Sequence, residues 1–208
     1  MSQEARKRIL GRVRDANRDR ETVAHPGPLP EAVEPPVPFG KAGRTDSVGA
    51  FEDRFRAAGG EVVRLFEEGS AQRWLKEFAS EFESVAVCIG VPDDLQPDLP
   101  AAPSSDAALG VSVAVGAAAQ TGSLLLSSRE GHQSQLLPPV HLVWLRVQDV
   151  YGTLGDALEG RRENLPATLA LHSGPSKSAD IGQMIVTGVH GPGRIIAAIV
   201  GPDMGTGV

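Results

Sequence analysis

Six short apolar runs constrain this 208-residue chain more than any other feature: residues 85–91, 110–115, 123–126, 139–147, 167–171 and 195–200. Each is strand-length and nearly continuous, as expected of strands covered on both faces. Residues 61–66 read as a further strand. Between these runs the apolar spacing turns helical, through Phe51, Phe55 and Ala58, then Trp74, Leu75 and Phe78, then Val150, Leu154, Ala157 and Leu158. Asp46 is placed to cap the first of these helices, and Gly59-Gly60 to end it. Such alternation predicts an α/β fold with a largely parallel sheet and helices on both sides. Segment 116–122 is too short for a crossover helix, so strands 110–115 and 123–126 are antiparallel neighbours or split by a tight bend. The sheet is therefore expected to be mixed and layered.

The N-terminal part is of another kind. In residues 2–20, Ala5, Ile9, Val13 and Ala16 recur at helical spacing among Arg6, Arg8, Arg12, Arg14 and Arg18. Residues 25–43 then hold six prolines, which no helix or central strand accepts. The expected organisation is a basic helical arm over 1–24, a stiff Pro-rich linker over 25–44, and one α/β domain over 45–208. The thin apolar stripe favours docking on protein over a membrane surface.

Charge and composition exclude several function classes. The chain carries −6, yet its first twenty residues carry +4, leaving −10 for the remainder. With aromatics at 4%, that balance argues against nucleic-acid binding. No window approaches eighteen uncharged apolar residues, so no membrane span is expected. The single cysteine, Cys88, lies in an apolar run and reads as a small buried hydrophobe. It permits no internal disulfide and no Cys-rich metal or iron–sulfur site in this chain. Together with the absence of a secretory leader, this fits a reducing cytoplasm.

The richest chemistry lies in residues 172–192, His-Ser-Gly-Pro-Ser-Lys-Ser-Ala-Asp-Ile-Gly followed by Gly-Val-His-Gly-Pro. If a helix starts near Ser178, with Ile181, Met184 and Ile185 on its apolar face, its free N–H groups and dipole form an anion seat. Lys177 and the helix start would then hold a carboxylate or phosphate, Asp180 would orient Lys177, and His190 would close the seat. The alternative is a capped helix start and a Gly/Pro turn without a ligand. Catalytic motifs are absent. A phosphate loop ending in Lys177-Ser178 needs glycine at 176 and 171, where Ser and Leu stand. There is no G-x-S-x-G elbow, no metal-ligand spacing among the five histidines, and no paired carboxylates. His141, inside a strand, reads as a satisfied core histidine; His172 and His190, beside glycine turns, are better placed for ligand contact or proton transfer.

Four motifs in order, T-G-S-L-L-L (121–126), L-L-P-P-V-H-L-V (136–143), G-P-S-K-S-A-D-I (174–181) and G-V-H-G-P (188–192), resemble the LUD-domain family in its lactate utilization C (YkgG-type) branch. The resemblance covers roughly residues 45–200. It implies the layered fold shared by ribose-5-phosphate isomerase, glucosamine-6-phosphate deaminase and CoA transferases. It also implies oxidation of L-lactate to pyruvate together with partner proteins that hold the iron–sulfur clusters, with none in this chain. Thr121, Gly122, Gly174, Ser176, Lys177, Ser178, Asp180 and His190 would line a site for a small anion. Two departures stand out. Gln120 replaces the family's Glu before the T-G-T motif, and an amide cannot serve as a carboxylate nucleophile. Glu130-Gly131-His132-Gln133 replaces a Gly-Asn-Arg-like element, so the family's anion-gripping Arg is either missing or supplied by nearby Arg129. The implied role is a non-catalytic or co-catalytic subunit whose basic arm docks on a partner. A stand-alone enzyme acting on a phosphorylated or CoA-linked molecule in the same cleft is the alternative. A ligand-sensing regulator has no DNA-binding element to support it, and homo-oligomerisation is left open.

Overall fold

In the computed structural model, residues 3–18, 44–67, 69–179 and 185–201 are described. The chain divides into two units, Met1–Pro38 and Phe39–Val208. In the first, helix α1 (Gln3–Asn17) is followed by an exposed Arg18–Asp15 ion pair of 2.6 Å. Apart from Arg44, the expected Pro-rich linker lies outside the described residues.

The second unit is built on a five-stranded sheet. Its strands are β1 (Glu61–Leu65), β2 (Val85–Val87), β3 (Leu109–Val113), β6 (Val140–Arg146) and β11 (Arg194–Val200), in the order β1-β11-β6-β3-β2. Every pairing in it is parallel. A second sheet, β7-β4-β5-β8, comprises β4 (Gly116–Ala118), β5 (Ser123–Ser127), β7 (Val150–Tyr151) and β8 (Leu169–His172). Here β4–β7 is parallel while β4–β5 and β5–β8 are antiparallel. The layered mixed α/β architecture is thus present, with the mixing confined to the second sheet. Strands β3 and β5 are divided between the two sheets by the bend at β4.

The layers follow from which face each side chain takes. Helix α3 (Ser70–Ala79) lays Leu75 and Phe78 against Leu109, Val111, Leu142 and Trp144 on one face of the parallel sheet. On the other face, α2 (Arg44–Ala57) and the second sheet enclose Phe51, Phe55, Leu124, Leu126, Val143, Ile195 and Ile199. Helix α5 (Leu154–Glu159) covers the far side of the second sheet through Ala157, against Ala118 and Leu125. Glu52 of α2, almost fully buried, receives Arg64 of β1 at 2.5 and 2.9 Å and Arg56 at 3.2 Å, so an ion network joins the helix to the edge strand.

Several elements differ from the sequence reading. The run 85–91 forms a strand only through Val87; Val91 N–H then turns back onto the Cys88 carbonyl, leaving Ile89 exposed. The expected helix over 149–163 is interrupted. Val150 and Tyr151, β-branched and aromatic, join the edge of β4, and the helix starts only after Thr153, whose hydroxyl accepts the Asp156 N–H. The connection 116–122 contains β4 itself. No helix among the described residues is long and apolar enough to cross a membrane.

Candidate functional site

The expected helix at Ser178 does not form. Residues Lys177–Ala179 are strand β9, antiparallel to β10 (Ile185–Thr187), with Ser178 opposite Val186. β-branched Ile185, Val186 and Thr187 pair better across a hairpin than they pack in a helix. The anion seat at a helix N-terminus is therefore corrected. Asp180, with 181–184, lies outside the described residues.

Lys177 takes the opposite electrostatic position: its ammonium donates to the Ala58 carbonyl just past the last turn of α2. A cation there complements the negative end of the helix dipole. Two other expected residues gather at the same helix end. Gly122 has φ +62°, and a Cβ on it would lie 2.7 Å from Arg54 Cβ and 2.8 Å from Phe55 N, so only glycine lets the 119–122 turn rest on α2. Arg54 secures that turn with a 3.0 Å bond from its guanidinium to the Ala119 carbonyl. Gly174 likewise comes within 3.0 Å (ideal Cβ) of the Ala58 carbonyl. A chain of hydroxyls crosses from this turn to β8: Thr121 Oγ1 to Ser123 Oγ at 2.7 Å, and Ser123 Oγ to Ser173 Oγ at 2.6 Å.

The loop carrying His190 is knitted in elsewhere. Ser176 N–H donates to the Pro192 carbonyl and Gly188 N–H to the Ser176 carbonyl, both at 2.9 Å, while Gly193 N–H reaches the Pro139 carbonyl. Ser176 and the 188–193 loop thus meet at the start of β6, with His190 exposed. Thr121, Gly122, Gly174 and Lys177 cluster at the α2 terminus; Ser176 and His190 form a second group beside it in sequence and hydrogen bonding.

The most buried polar cluster lies between the two sheets. His141, with no exposed surface, bonds Ser112 Oγ through Nε2 at 2.8 Å across the β3–β6 pair. Its Nδ1 has no hydrogen-bond partner among the described residues. The ring of His172 stands edge-on to it, centroids 6.0 Å apart at 74°. Burial first, and then the neighbouring His172, push the His141 imidazole down to about 3. Burial and then His132 lower His172 as well. Both rings are therefore neutral at pH 7. His141 is a core histidine as expected, yet a half-satisfied one. Ser112, His132, Ser123, Ser173 and Arg54 were missed by sequence reasoning; the signal for the first was a lone hydroxyl in an apolar strand next to a strand with a lone imidazole.

Cys88 is buried, and burial and then the nearby Glu130 charge push its thiol up to about 12. Glu130 accepts the Val113 N–H at 3.3 Å, and burial raises its carboxyl above the usual range. Among the described residues, no group of three His, Cys, Asp or Glu side chains is placed to share a metal ion.

Comparisons with known proteins bear on the same region. The LUD domain family model matches residues 101–200, which hold the hydroxyl chain, the histidine pair and the 174–192 loops. An uncharacterized protein of Neisseria meningitidis serogroup B is 38% identical over 90 residues, covering 41% of this chain and 39% of that protein. Lactate utilization protein C 1 of Bacillus mycoides is 32% identical over 115 residues, covering 51% of this chain and 48% of the relative. Lactate utilization protein C of Bacillus pumilus is 36% identical over 93 residues, covering 39% and 38%. The chain thus matches less than half the length of each of these curated relatives. The crystal structure of a DUF162-family protein from Deinococcus radiodurans aligns with a TM-score of 0.62, covering 77% of this chain and 99% of that one at 19% identity, a likeness of fold. Over residues 101–200, the segment that holds most strands of both sheets, the chain matches the LUD domain family, and it is similar to two proteins named lactate utilization protein C.

Proposed function

We propose that this protein is a subunit of a cytoplasmic lactate-utilization system, acting with iron–sulfur partner proteins in the oxidation of L-lactate to pyruvate. The observation that carries this reading is the similarity to two lactate utilization C proteins together with the family match over the site-bearing region. The single cysteine, inert by burial, supports placing the clusters in partner chains. A small carboxylate or phosphate ligand is assigned to the loops of Thr121, Gly122, Gly174, Ser176, Ser178, Asp180 and His190. Lys177 contributes through the ammonium protons that Ala58 leaves free.

The test is L-lactate oxidation in extracts of cells lacking this chain, with wild-type protein added back. Loss on deletion and recovery on addition are the expected results. Unchanged oxidation in a strain with no second lactate oxidase refutes the reading. Turnover of a phosphorylated or CoA-linked substrate by the purified chain alone favours the stand-alone enzyme instead.

A further inference from the structure

We propose that His172, backed by His141 and Ser112, binds the hydroxyl or oxo oxygen of a small 2-hydroxy or 2-oxo carboxylate in the layer between the two sheets. This goes beyond the loops named above and rests on the lactate-utilization reading for the ligand class. The argument starts from unsatisfied polarity. A buried ring nitrogen without a partner is costly, and native interiors seldom leave one so. His141 Nδ1 is such an atom in a fully buried ring. Its other nitrogen is fixed by Ser112, so the tautomer follows that bond. If the Ser112 hydroxyl donates to Nε2, Nδ1 carries a proton and needs an acceptor; in the reverse arrangement it needs a donor.

The placement of His172 gives that polarity a way out. In β8 it lies opposite Leu124, whose side chain faces the inter-sheet core, and two residues beyond Ala170, which packs into the same core. Strand alternation therefore points His172 inward beside His141, while Ser173 turns to the hydroxyl chain on the other face. Unlike His141, it is only partly buried, and no ring-nitrogen hydrogen bond ties it to the described residues. It ends the strand that leads into the 173–176 loop, and His132 lies close enough to affect its charge. One half-open imidazole thus fronts a closed one.

The chemistry of the pair selects the ligand. Neutral imidazoles offer one N–H and one lone pair each, and no net charge. They suit an alcohol or ketone oxygen, and they do not compensate a phosphate dianion moved out of water. A 2-hydroxy or 2-oxo acid presents the right oxygen next to a carboxylate that stays on the side of the partly exposed His172. In this arrangement the ligand oxygen meets His172 and the unpartnered Nδ1 of His141 together, and Ser112 is the positioning residue that fixes the His141 tautomer.

The experiment is NMR of the full chain with 15N-labelled histidine rings, titrated with L-lactate, pyruvate and inorganic phosphate separately. L-Lactate or pyruvate is expected to shift the ring nitrogens of His172 and His141, and phosphate to leave them in place. His172→Gln, at a half-open position, is expected to keep the fold by circular dichroism and to weaken binding roughly tenfold or more, as loss of one buried hydrogen bond implies. His141→Gln is expected to leave a ligand-induced shift at His172 but with reduced affinity. No ring shift with either acid at about 20 mM, well above the roughly 1 mM upper end of ordinary metabolite sites, overturns the proposal. So do shifts with phosphate alone, or unchanged affinity in His172→Gln. These outcomes separate from the deletion test: lactate oxidation that depends on the chain without ring shifts sinks this site only. Ring shifts without dependence sink the lactate-utilization role only.

Discussion

Lowering the pH should destabilise this protein through His141, and the size of the effect follows from its burial. The ordinary imidazole titrates near 6.5, and in the folded state His141 is held down to about 3. Above pH 6.5 neither state carries the proton, and the residue contributes no pH dependence. Below it the unfolded chain binds a proton that the folded chain refuses, so stability falls by about 1.4 kcal/mol per pH unit until the folded ring itself titrates. At pH 5 the cumulative loss is about 2 kcal/mol, a sizeable share of the 5–15 kcal/mol typical of a domain. His172, also lowered, adds to the loss in the same direction. Glu130, raised by burial, opposes it, since its folded form takes up a proton more readily than its unfolded form. Urea unfolding followed by the fluorescence of Trp74 and Trp144 between pH 8 and pH 5 measures the sum, and His141→Gln isolates the one residue. The variant should lose about 2 kcal/mol less than wild type over that range. Parallel curves for the two proteins would show that His141 is solvated or charged in the folded state, and the reasoning on the inter-sheet layer would fail with it.

Three further outcomes are expected. Glu52→Gln should cost about 1–3 kcal/mol in urea unfolding, because Arg56 and Arg64 lose a buried carboxylate yet are exposed enough to rehydrate; a cost under about 0.5 kcal/mol would mean that the network adds nothing. Gly122→Ala should destabilise by about 3 kcal/mol, seen as a fall of roughly 10 °C in Tm, from left-handed strain plus contact with the α2 backbone. An unchanged Tm would place the 119–122 turn away from the helix. Cys88 should resist a disulfide reagent at pH 8 in the native state and react promptly in guanidinium; rapid native labelling would contradict its burial.

Periodicity made the parallel sheet legible because β6 and β11 are buried on both faces and so carry unbroken apolar runs. It failed where a few residues had to choose between partners. Val150 and Tyr151 fit a helical stripe equally well, and the open edge of β4 decided for strand. At Lys177–Ala179 the local pattern of Ser, Lys and Asp imitates a helix start, but pairing with Ile185–Thr187 prevails. The glycines at 122 and 174 were visible as turn residues, whereas the surface they rest on, the end of α2, comes from more than sixty residues away. The His141–Ser112 bond was equally out of reach, since no spacing reveals which strands become neighbours.

The position of β11 governs when this domain can exist at all. The last of the described strands lies inside the parallel sheet, with five residues in register with β1 and seven with β6. A nascent chain that has emerged only as far as β10 therefore holds a lone β1 strand and a three-stranded β6-β3-β2 half-sheet, each with an open edge. Such edges are templates for pairing with other chains, and closing them requires contacts across more than 130 residues. The apolar run Ile195–Val200 closes both edges at once, and a chain that ends before it exposes them to pairing with other chains.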